Sequence, residues 1–426
     1  GVAAPFRQLG KAKLVFAVEA ARSLHDGRVQ PLGMIRAGDG DQSLVLMEPV
    51  ELVEKEGLGL SGDERVEILE HEDAGRKAPG MLFDPNGPLF LRWGYLPRLI
   101  PFLVRFLRAG RESEVRRISK SLALLLHDTA AQHLALAVGT EAEQYIKVGD
   151  YVYGYRDEAA FKADAFGWSI RNERGVAYEL MDGRRLGEYD PAIAGRFGYA
   201  VCCTDHGQVT DPGAYVKALA AHFVRDGGEQ RITEVTDIVL AGNVATGVVT
   251  TDGVIDADDI VLATGVWSGP LAAKLGIKVP MESERGYHIE FVNPSIMPRS
   301  PVVVAAGKFV LTPMDGRLIS AGIVEFGGLD APPSRQPFDL VRRQTLELYP
   351  DLTYDRIDEW MGHRPSTADS LPLIGKFDAA ANVWSGFGHH HVGLTGGPKT
   401  GRWLAQLISG KPPNVDLAPM APGRFR

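Results

Sequence analysis

The chain has 426 residues, of which 45% are hydrophobic and 23% charged, and its net charge is −8. This is the composition of a globular protein with two domains or one elaborated α/β unit. The acidic balance argues against nucleic acid as a partner, because nucleic-acid-binding proteins carry a basic surface. Its two cysteines, Cys202 and Cys203, are adjacent, so we expect reduced thiols and a cytoplasmic location. No signal peptide is expected at the start of the sequence, and no apolar run approaches the ~18 residues of a membrane span.

The hydrophobic pattern predicts strands and helices in an irregular alternation. Apolar residues recur every three to four positions from Trp93 to His127, which predicts a helical region. Asp211 and Pro212 are predicted to begin a helix as its N-cap and first residue. Further helices are predicted from about 157 and at 338–348 and 398–408, and strands at 14–18, 43–47, 151–155, 232–240, 245–251, 260–263, 287–292, 302–305, 309–312 and 318–323. This order predicts an antiparallel sheet domain inserted into a nucleotide-binding α/β domain.

The first motif is the run Ile260-Val-Leu-Ala-Thr264-Gly265-Val-Trp267-Ser268. It predicts a buried strand that ends at Thr264 and Gly265, with Trp267 opening the next helix. Ligands of open α/β sheets lie outside the carboxyl ends of strands, where a glycine lets the backbone approach them closely. The alternative is an ordinary strand that ends in a glycine turn.

The second motif is a glycine-rich loop, Gly386-Phe-Gly388-His-His-His391-Val-Gly393-Leu394-Thr395-Gly-Gly-Pro398. We predict that it leads into a helix with Pro398 in its first turn. The N–H groups at a helix start suit a phosphate or an anionic ring oxygen; the alternative is a loop that only caps the helix. Three consecutive histidines raise the question of a metal ion, but adjacent side chains do not easily converge on one ion, so no metal site is predicted.

The third motif is Gly362-His-Arg364-Pro-Ser-Thr-Ala-Asp369-Ser-Leu-Pro-Leu-Ile-Gly375. Arg364 lies in a rigid setting between glycine and proline. Its planar guanidinium matches the geometry of a carboxylate. The alternative is an arginine in a surface salt bridge.

These three motifs, in their order along the chain, resemble those of the D-amino-acid oxidase superfamily of FAD-dependent oxidoreductases, and within it the D-amino-acid dehydrogenase-like branch. The resemblance includes Arg76–Pro88 and Arg285-Gly-Tyr287-His288 and covers about residues 76–420. It implies an α/β (α+β) fold in which a Rossmann-like FAD-binding domain is interwoven with an antiparallel-sheet substrate-binding domain. The FAD-binding domain would comprise 1–80, 205–280 and 365–426, and the substrate-binding domain 81–204 and 281–364.

The resemblance also implies roles for individual residues. Arg364 would bind the substrate carboxylate, and His391 and Tyr287 are candidates to position the amine. Non-covalent FAD would contact Val235, Thr264, Gly265, Trp267, Gly388, Gly393, Leu394 and Thr395, with Val235 at the adenine.

The implied reaction is oxidative deamination of a small amino acid, with a D-amino acid favoured, by hydride transfer to FAD. A quinone or oxygen would then accept the electrons. Alternatives on the same fold are oxidation of a cyclic imino acid, sarcosine or a 2-hydroxy acid. A further alternative is a degenerate relative that has lost FAD and catalysis.

Two positions depart from the family pattern near the substrate. Oxidase members supply a tyrosine hydroxyl from the strand that here reads Lys308-Phe-Val-Leu311, which has no tyrosine. His390 stands where dehydrogenase-like members often have glycine.

The N-terminal 75 residues depart further, because they lack a convincing GxGxxG turn after a strand. Gly57-Leu-Gly-Leu-Ser-Gly62 follows a charged segment, and acidic residues after it would repel a pyrophosphate. A second interpretation places Gly1 at the end of a lost fingerprint, with Val2–Leu9 as its helix and Glu19 as the ribose ligand. A third is that this stretch is divergent or misrecorded.

Residues 93–117 combine aromatic residues with six arginines in a chain that is otherwise acidic. This pattern is typical of a helix that contacts anionic lipid. It would suit a dehydrogenase that passes electrons to a membrane quinone, at the inner face of the membrane. The alternative is a helix that packs its apolar stripe on the protein's own core.

Overall fold

The computed structural model describes residues 14–17, 33–36, 43–46 and 87–426. These residues form a mixed α/β fold, so the predicted fold class is confirmed. Strands β1–β19 are, in chain order, Leu14–Ala17, Gly33–Arg36, Ser43–Leu46, Leu89–Leu91, Ile146–Tyr155, Tyr178–Asp182, Tyr199–Val209, Glu229–Ile232, Val235–Ala241, Val244–Thr250, Gly253–Asp256, Asp259–Leu262, Met281–Val292, Val302–Val304, Phe309–Met314, Arg317–Phe326, Arg356–Thr367, Leu373–Lys376 and Val383–Phe387. Helices α1–α10 are Leu96–Ala109, Glu112–Leu126, Thr129–Ala137, Glu158–Ala163, Ala165–Glu173, Gly183–Tyr189, Pro212–Arg225, Ser268–Lys274, Arg335–Leu348 and Gly393–Ile408.

The first large sheet has the strand order β18-β19-β12-β1-β3-β2-β8. Strands β19, β12, β1 and β3 are parallel to one another. Strand β8 runs in the same direction, because it is antiparallel to β2, which is antiparallel to β3. The carboxyl ends of all five strands therefore lie along one edge, here called the carboxyl edge.

The second large sheet has the order β17-β13-β16-β15-β14-β5-β7-β6, with β4 beside β16. Its pairings are antiparallel except β14–β5 and β16–β4. Helix α9 covers one face, where Phe338 and Val341 pack with Tyr287 and Phe291 in a buried cluster. Strands β9, β10 and β11 form a separate three-stranded sheet.

The two large sheets are interwoven along the chain, since strands β4–β7 and β13–β17 of the second interrupt the first. Helix α2 lies within residues 81–204, which were predicted to form part of the substrate-binding domain. Its residues Ile118, Leu122 and Leu125 nevertheless pack against Val261 of β12 and Trp403 of α10. The limits of the two predicted domains stay a prediction.

Most predicted elements are present with shifted ends. Asp211 caps α7, accepting a hydrogen bond from the Ala214 N–H at 2.9 Å, as predicted. The single strand predicted at 232–240 is wrong: β8 and β9 are separated at Thr233–Glu234. The start predicted for the last helix is also wrong, because α10 begins at Gly393.

Several sequence predictions fall on other parts of the chain. Gly57–Gly62, Gly1–Leu9, Glu19 and Arg76–Asn86 lie outside the described residues. Within the described residues, no helix is both long and apolar enough to cross a bilayer.

Candidate active site at the carboxyl edge

Strand β12 ends in the predicted glycine turn. The Ser268 hydroxyl lies 2.7 Å from Thr264 Oγ1 and accepts a hydrogen bond from the Thr264 N–H at 3.1 Å. These bonds close the turn from the strand into α8. Gly265 has φ 52°, a conformation that favours glycine. Backbone without side chains is thus presented at the carboxyl edge.

The neighbouring strand β19 ends in a second glycine turn. Leu262 of β12 is the register partner of Ser385 in β19. Gly265 lies three residues after Leu262 and Gly388 three residues after Ser385, so the two glycines lie at the ends of adjacent strands. Gly388 has φ 80°, and a Cβ there would lie 2.8 Å from Thr367 Cγ2. The structure therefore brings together the two loops that were predicted to contact FAD.

Val235 lies at the same edge but farther along it. It begins β9, three residues beyond the end of β8, and is buried in a hydrophobic cluster with Ile238. Four strand spacings separate β8 from β12, which is roughly 19 Å at ~4.8 Å per strand. A span of this length suits an elongated dinucleotide.

Helix α10 begins five residues earlier than predicted and contains Pro398 in its interior. Pro398 has no N–H to donate to the Leu394 carbonyl four residues before it. His133 of α3 takes that place, since its Nε2 lies 3.0 Å from Leu394 O. This hydrogen bond from α3 fixes the first turn of α10 at the carboxyl edge. That turn contains Gly393, Leu394 and Thr395.

A second buried group fixes the His133 ring. Burial lowers the pKa of His133 to about 4, so the imidazole is neutral. Because Nε2 donates to a carbonyl, Nδ1 is the acceptor, and the Tyr215 hydroxyl donates to it at 2.7 Å. Neither His133 nor Tyr215 was identified from the sequence. The available signal was Pro398, whose missing N–H leaves the Leu394 carbonyl in need of another donor.

The three histidines after Gly388 have separate surroundings. His389 Nε2 lies 3.0 Å from Thr400 Oγ1, and His390 Nε2 lies 3.0 Å from the carbonyl of Thr367. The rings of His390 and His391 are perpendicular, with centroids 6.3 Å apart. Burial lowers the pKa of His389 to about 4 and also lowers that of His390. His390 has φ 55°, which explains physically why glycine suits this position.

Arg364 faces this turn from the second sheet. Glu284 is its register partner across β13 and β17. The guanidinium extends over Gly286, where a Cβ would lie 2.7 Å from Cζ. No hydrogen-bond acceptor or carboxylate pairs with this guanidinium among the residues that the structure describes. The salt-bridge alternative therefore has no partner within that part of the chain.

Tyr287 lies on the opposite face of β13 from Arg364. Its hydroxyl donates to Glu325 at 2.6 Å and accepts from the Ser334 N–H at 2.9 Å. Arg285 shares this face and pairs with Glu325 at 2.7 Å. The structure thus does not bring Tyr287 together with Arg364, and both hydrogen-bonding directions of its hydroxyl are occupied.

Trp267 contacts the residue next to Arg364. Its ring lies edge-on to His363, with centroids 5.6 Å apart. The His363 Nδ1 lies 2.7 Å from Ser283 Oγ, and burial lowers the pKa of His363 to about 4. Trp267 and His363 thus join the turn after β12 to β17.

Asp369 of the third motif has a structural partner. It pairs with Arg424 through Nε at 2.7 Å and Nη2 at 3.1 Å, which anchors residues near the C-terminal end to the turn after β17. The turn that follows Arg364 is thereby fixed from outside the site.

Parallel strands with glycine turns and a helix start at their common carboxyl edge are typical of enzymes that bind a dinucleotide. The chain belongs to the family of FAD dependent oxidoreductases called DAO, whose model matches residues 90–407. FAD is therefore the cofactor, and the carboxyl edge fits it in length and in the space that its glycines leave.

Two named relatives are similar to this protein over most of the chain. A D-amino-acid oxidase of Bradyrhizobium diazoefficiens is 38% identical over 355 residues, covering 82% of this chain and 84% of that protein. A D-amino acid dehydrogenase of Allorhizobium ampelinum is 29% identical over 368 residues, covering 82% and 84%. The fold is similar to that of glycine oxidase from Geobacillus kaustophilus, with a TM-score of 0.61 and 22% identity over 72% of this chain and 82% of that one.

Proposed function

We propose that the chain oxidises the Cα–N bond of a small amino acid, with a D-amino acid favoured. The single observation that carries this proposal is the Arg364 guanidinium, which extends over Gly286 without an acceptor in the described residues. A carboxylate binds such a fork through two parallel hydrogen bonds. The names of the similar oxidase and dehydrogenase support an amino acid as the bearer of that carboxylate.

We propose that non-covalent FAD lies along the carboxyl edge. Thr264, Gly265, Trp267 and Gly388 would lie at the isoalloxazine together with the first turn of α10, and Val235 would meet the adenine. The N–H groups in the first turn of α10 offer a partial positive charge to the pyrimidine end of the ring. When bound, FAD supplies the acceptor for the substrate's α-hydrogen and its electron pair.

The residues of this chain act by positioning. Arg364 fixes the substrate carboxylate and so restricts where Cα can lie relative to the turn Gly388–Val392. His391 belongs to that turn and is the candidate to position the amine. An amino acid bound with a protonated amine would lose one ammonium proton to water and its α-hydrogen with an electron pair, which leaves the iminium form of an imino acid. Water would then hydrolyse it to the keto acid and ammonium.

The exposed part of α1 supports a membrane surface as a further partner. Leu99 and Phe102 pack on Phe326 in the core, as the packing alternative predicted for one face. Ile100, Val104 and Leu107 are instead 49, 43 and 46% exposed.

Basic side chains border this exposed ridge. Arg98, Arg105 and Arg108 lie along the same helix and Arg111 follows it, all of them exposed. We propose that this surface contacts anionic lipid at the inner face of the membrane, so that a quinone is the acceptor. Both cysteines are free and buried, which supports a reducing, cytoplasmic compartment.

Anaerobic mixing with a substrate panel tests the proposed function. D-Alanine, glycine, sarcosine, L-proline and D-lactate are added separately, and bleaching of the visible flavin absorbance is followed. We expect D-alanine or glycine to bleach the flavin fastest. Bleaching by L-proline or lactate alone would reassign the substrate, and a colourless protein that FAD does not restore would support the non-catalytic alternative. Acid precipitation should release all the flavin into the supernatant.

A further inference from the structure

Glu284 is a buried carboxylate directly across from Arg364. The two residues are register partners in the antiparallel pair β13–β17, so their side chains share one face with Cβ atoms about 4.5–5.5 Å apart. Glu284 is 9% exposed. Opposite charges therefore lie side by side on the face that was assigned to the substrate carboxylate.

Glu284 has no partner among the described residues. No hydrogen bond or ion pair reaches its carboxylate there, although Arg364 stands opposite, because the Arg364 guanidinium extends over Gly286 instead. Glu282, two residues away on the same face, accepts a hydrogen bond from Tyr95 Oη at 2.8 Å. An ionised carboxylate that is buried without a partner is costly. A bound cation would remove that cost.

The surroundings of Glu284 place it at the candidate site. His390, in the turn after Gly388, feels the charges of Glu284 and Arg364, which act on its pKa in opposite directions. Both charged residues therefore lie near the turn that flanks the proposed isoalloxazine position. His288 lies two residues after Gly286 on the same face of β13, and its ring is stacked on Trp360.

We propose that Glu284 binds the α-ammonium group of the substrate while Arg364 binds its carboxylate. This inference rests on the proposed oxidation of an amino acid and adds the recognition of its cationic end. The two side chains would read the substrate as a zwitterion. A 2-hydroxy acid is discriminated against, because its neutral hydroxyl leaves the Glu284 carboxylate without a counter-charge.

The test compares ligands with and without the amine. For the wild type and Glu284→Gln, the KM of D-alanine and the inhibition constant of propionate, which is alanine without its amine, are measured on the FAD-loaded enzyme. Propionate binding is also followed by the change in flavin absorbance without turnover. The KM of D-alanine should rise about 10- to 150-fold, since a charge-assisted contact is worth ~1.5–3 kcal/mol. The propionate constant should stay the same or fall.

Two further variants keep the result interpretable. Glu282→Gln removes a neighbouring carboxylate from the same face and should leave the KM of D-alanine unchanged. Glu284→Asp keeps the charge and should recover part of the loss, which a purely structural role would not predict.

Two outcomes overturn the inference. An unchanged KM in Glu284→Gln does so, and so does an equal loss of D-alanine and propionate binding. A wild type that oxidises no amino acid overturns the proposed function along with it, whereas active wild type with an unaffected variant overturns the inference alone.

Discussion

The guanidinium of Arg364 occupies the space where Gly286 lacks a side chain. The two residues lie on neighbouring antiparallel strands, and a Cβ on Gly286 would come within 2.7 Å of Cζ and 2.9 Å of Nε. Any larger residue at 286 must move the guanidinium. The direction of the Arg364 side chain thus depends on the absence of a side chain at Gly286 in the neighbouring strand β13.

Gly286→Ala should weaken substrate binding without unfolding the protein. The atoms that the new methyl group meets belong to the end of a flexible side chain, which can move. We expect the KM of the amino-acid substrate to rise about tenfold or more, since the paired hydrogen bonds of the carboxylate are lost in part. Gly149→Ala, whose Cβ meets nothing within 4 Å, is the matched control and should leave KM unchanged. An unaltered KM in Gly286→Ala would show that the guanidinium need not lie there.

Arg364→Ala should raise KM by roughly tenfold to over a hundredfold while FAD stays bound, because a charge-assisted contact is removed. Arg364→Lys should recover only part, since an ammonium cannot form the planar pair. Arg356→Ala, in the same strand but exposed and paired with Asp358, is the control. If Arg364→Ala keeps its KM, the carboxylate site lies elsewhere; Arg285 is a poor substitute because Glu325 and two backbone carbonyls already bind it.

His133→Leu should destabilise the start of α10 because the Leu394 carbonyl loses its donor. We expect a loss of about 1–3 kcal/mol in the free energy of unfolding and a several-fold rise in the Kd of FAD. Pro398→Ala supplies an N–H four residues after Leu394, so His133→Leu should cost less than half as much when it is combined with Pro398→Ala.

Urea unfolding of the four proteins in this double-mutant cycle, together with FAD titration by fluorescence, measures the coupling. If His133→Leu lowers the free energy of unfolding equally with and without Pro398→Ala, the hydrogen bond from His133 to the Leu394 carbonyl does not account for its effect.

Stability should fall as the pH is lowered from about 6.5 towards 4. Burial holds the pKa values of His133, His363 and His389 at about 4 in the folded protein, below the ~6.5 of an unfolded histidine. In this window the unfolded chain binds protons that the folded chain does not, so each residue contributes a slope of up to about 1.4 kcal/mol per pH unit.

Urea midpoints between pH 7.5 and 5 test this dependence. His133→Gln should flatten the slope by one proton, because burial holds the pKa of His133 at about 4 in the folded protein. A wild-type midpoint that is independent of pH in this range would contradict the assigned pKa shifts.

The wild-type protein should float with vesicles of phosphatidylglycerol and phosphatidylcholine at low salt. Each arginine near an anionic surface contributes about 1 kcal/mol, so Arg105→Glu, Arg108→Glu and Arg111→Glu together should reduce binding about 100-fold or more. A variant with Arg184→Glu, Arg231→Glu and Arg356→Glu has the same net charge but changes exposed sites elsewhere, and should still bind. A wild type that stays in the soluble fraction would assign α1 to core packing and favour a soluble acceptor.

The carboxyl edge could be predicted because its signals are local. A buried strand followed by Thr264 and Gly265 contains the whole turn within a few residues, and so does Gly388 after β19. The start of α10 could not be predicted, because glycine has a low helix propensity and residues 393–397 were therefore interpreted as a loop. Tertiary packing overrides that propensity: a Cβ on Gly396 would lie 2.9 Å from Leu125 Cδ2, so its absence lets α2 pack closely.

The substrate side of the site depends on register, which the sequence does not state. Arg364 could be proposed from sequence because its motif is local, but its neighbours Glu284 and Gly286 follow from the pairing of β13 with β17. Tyr287 was chosen for its hydroxyl, yet alternation along β13 turns it to the face covered by α9.

The two faces of strand β13 serve different parts of the molecule, and their residues cannot be interchanged. Its residues at 284, 286 and 288 serve the face of Arg364, while 285 and 287 join Glu325 beneath α9. Inserting or deleting one residue between Met281 and Val292 would turn every side chain beyond it to the other face. Length variation among homologues should therefore be absent within this strand and collect in the loops that border it.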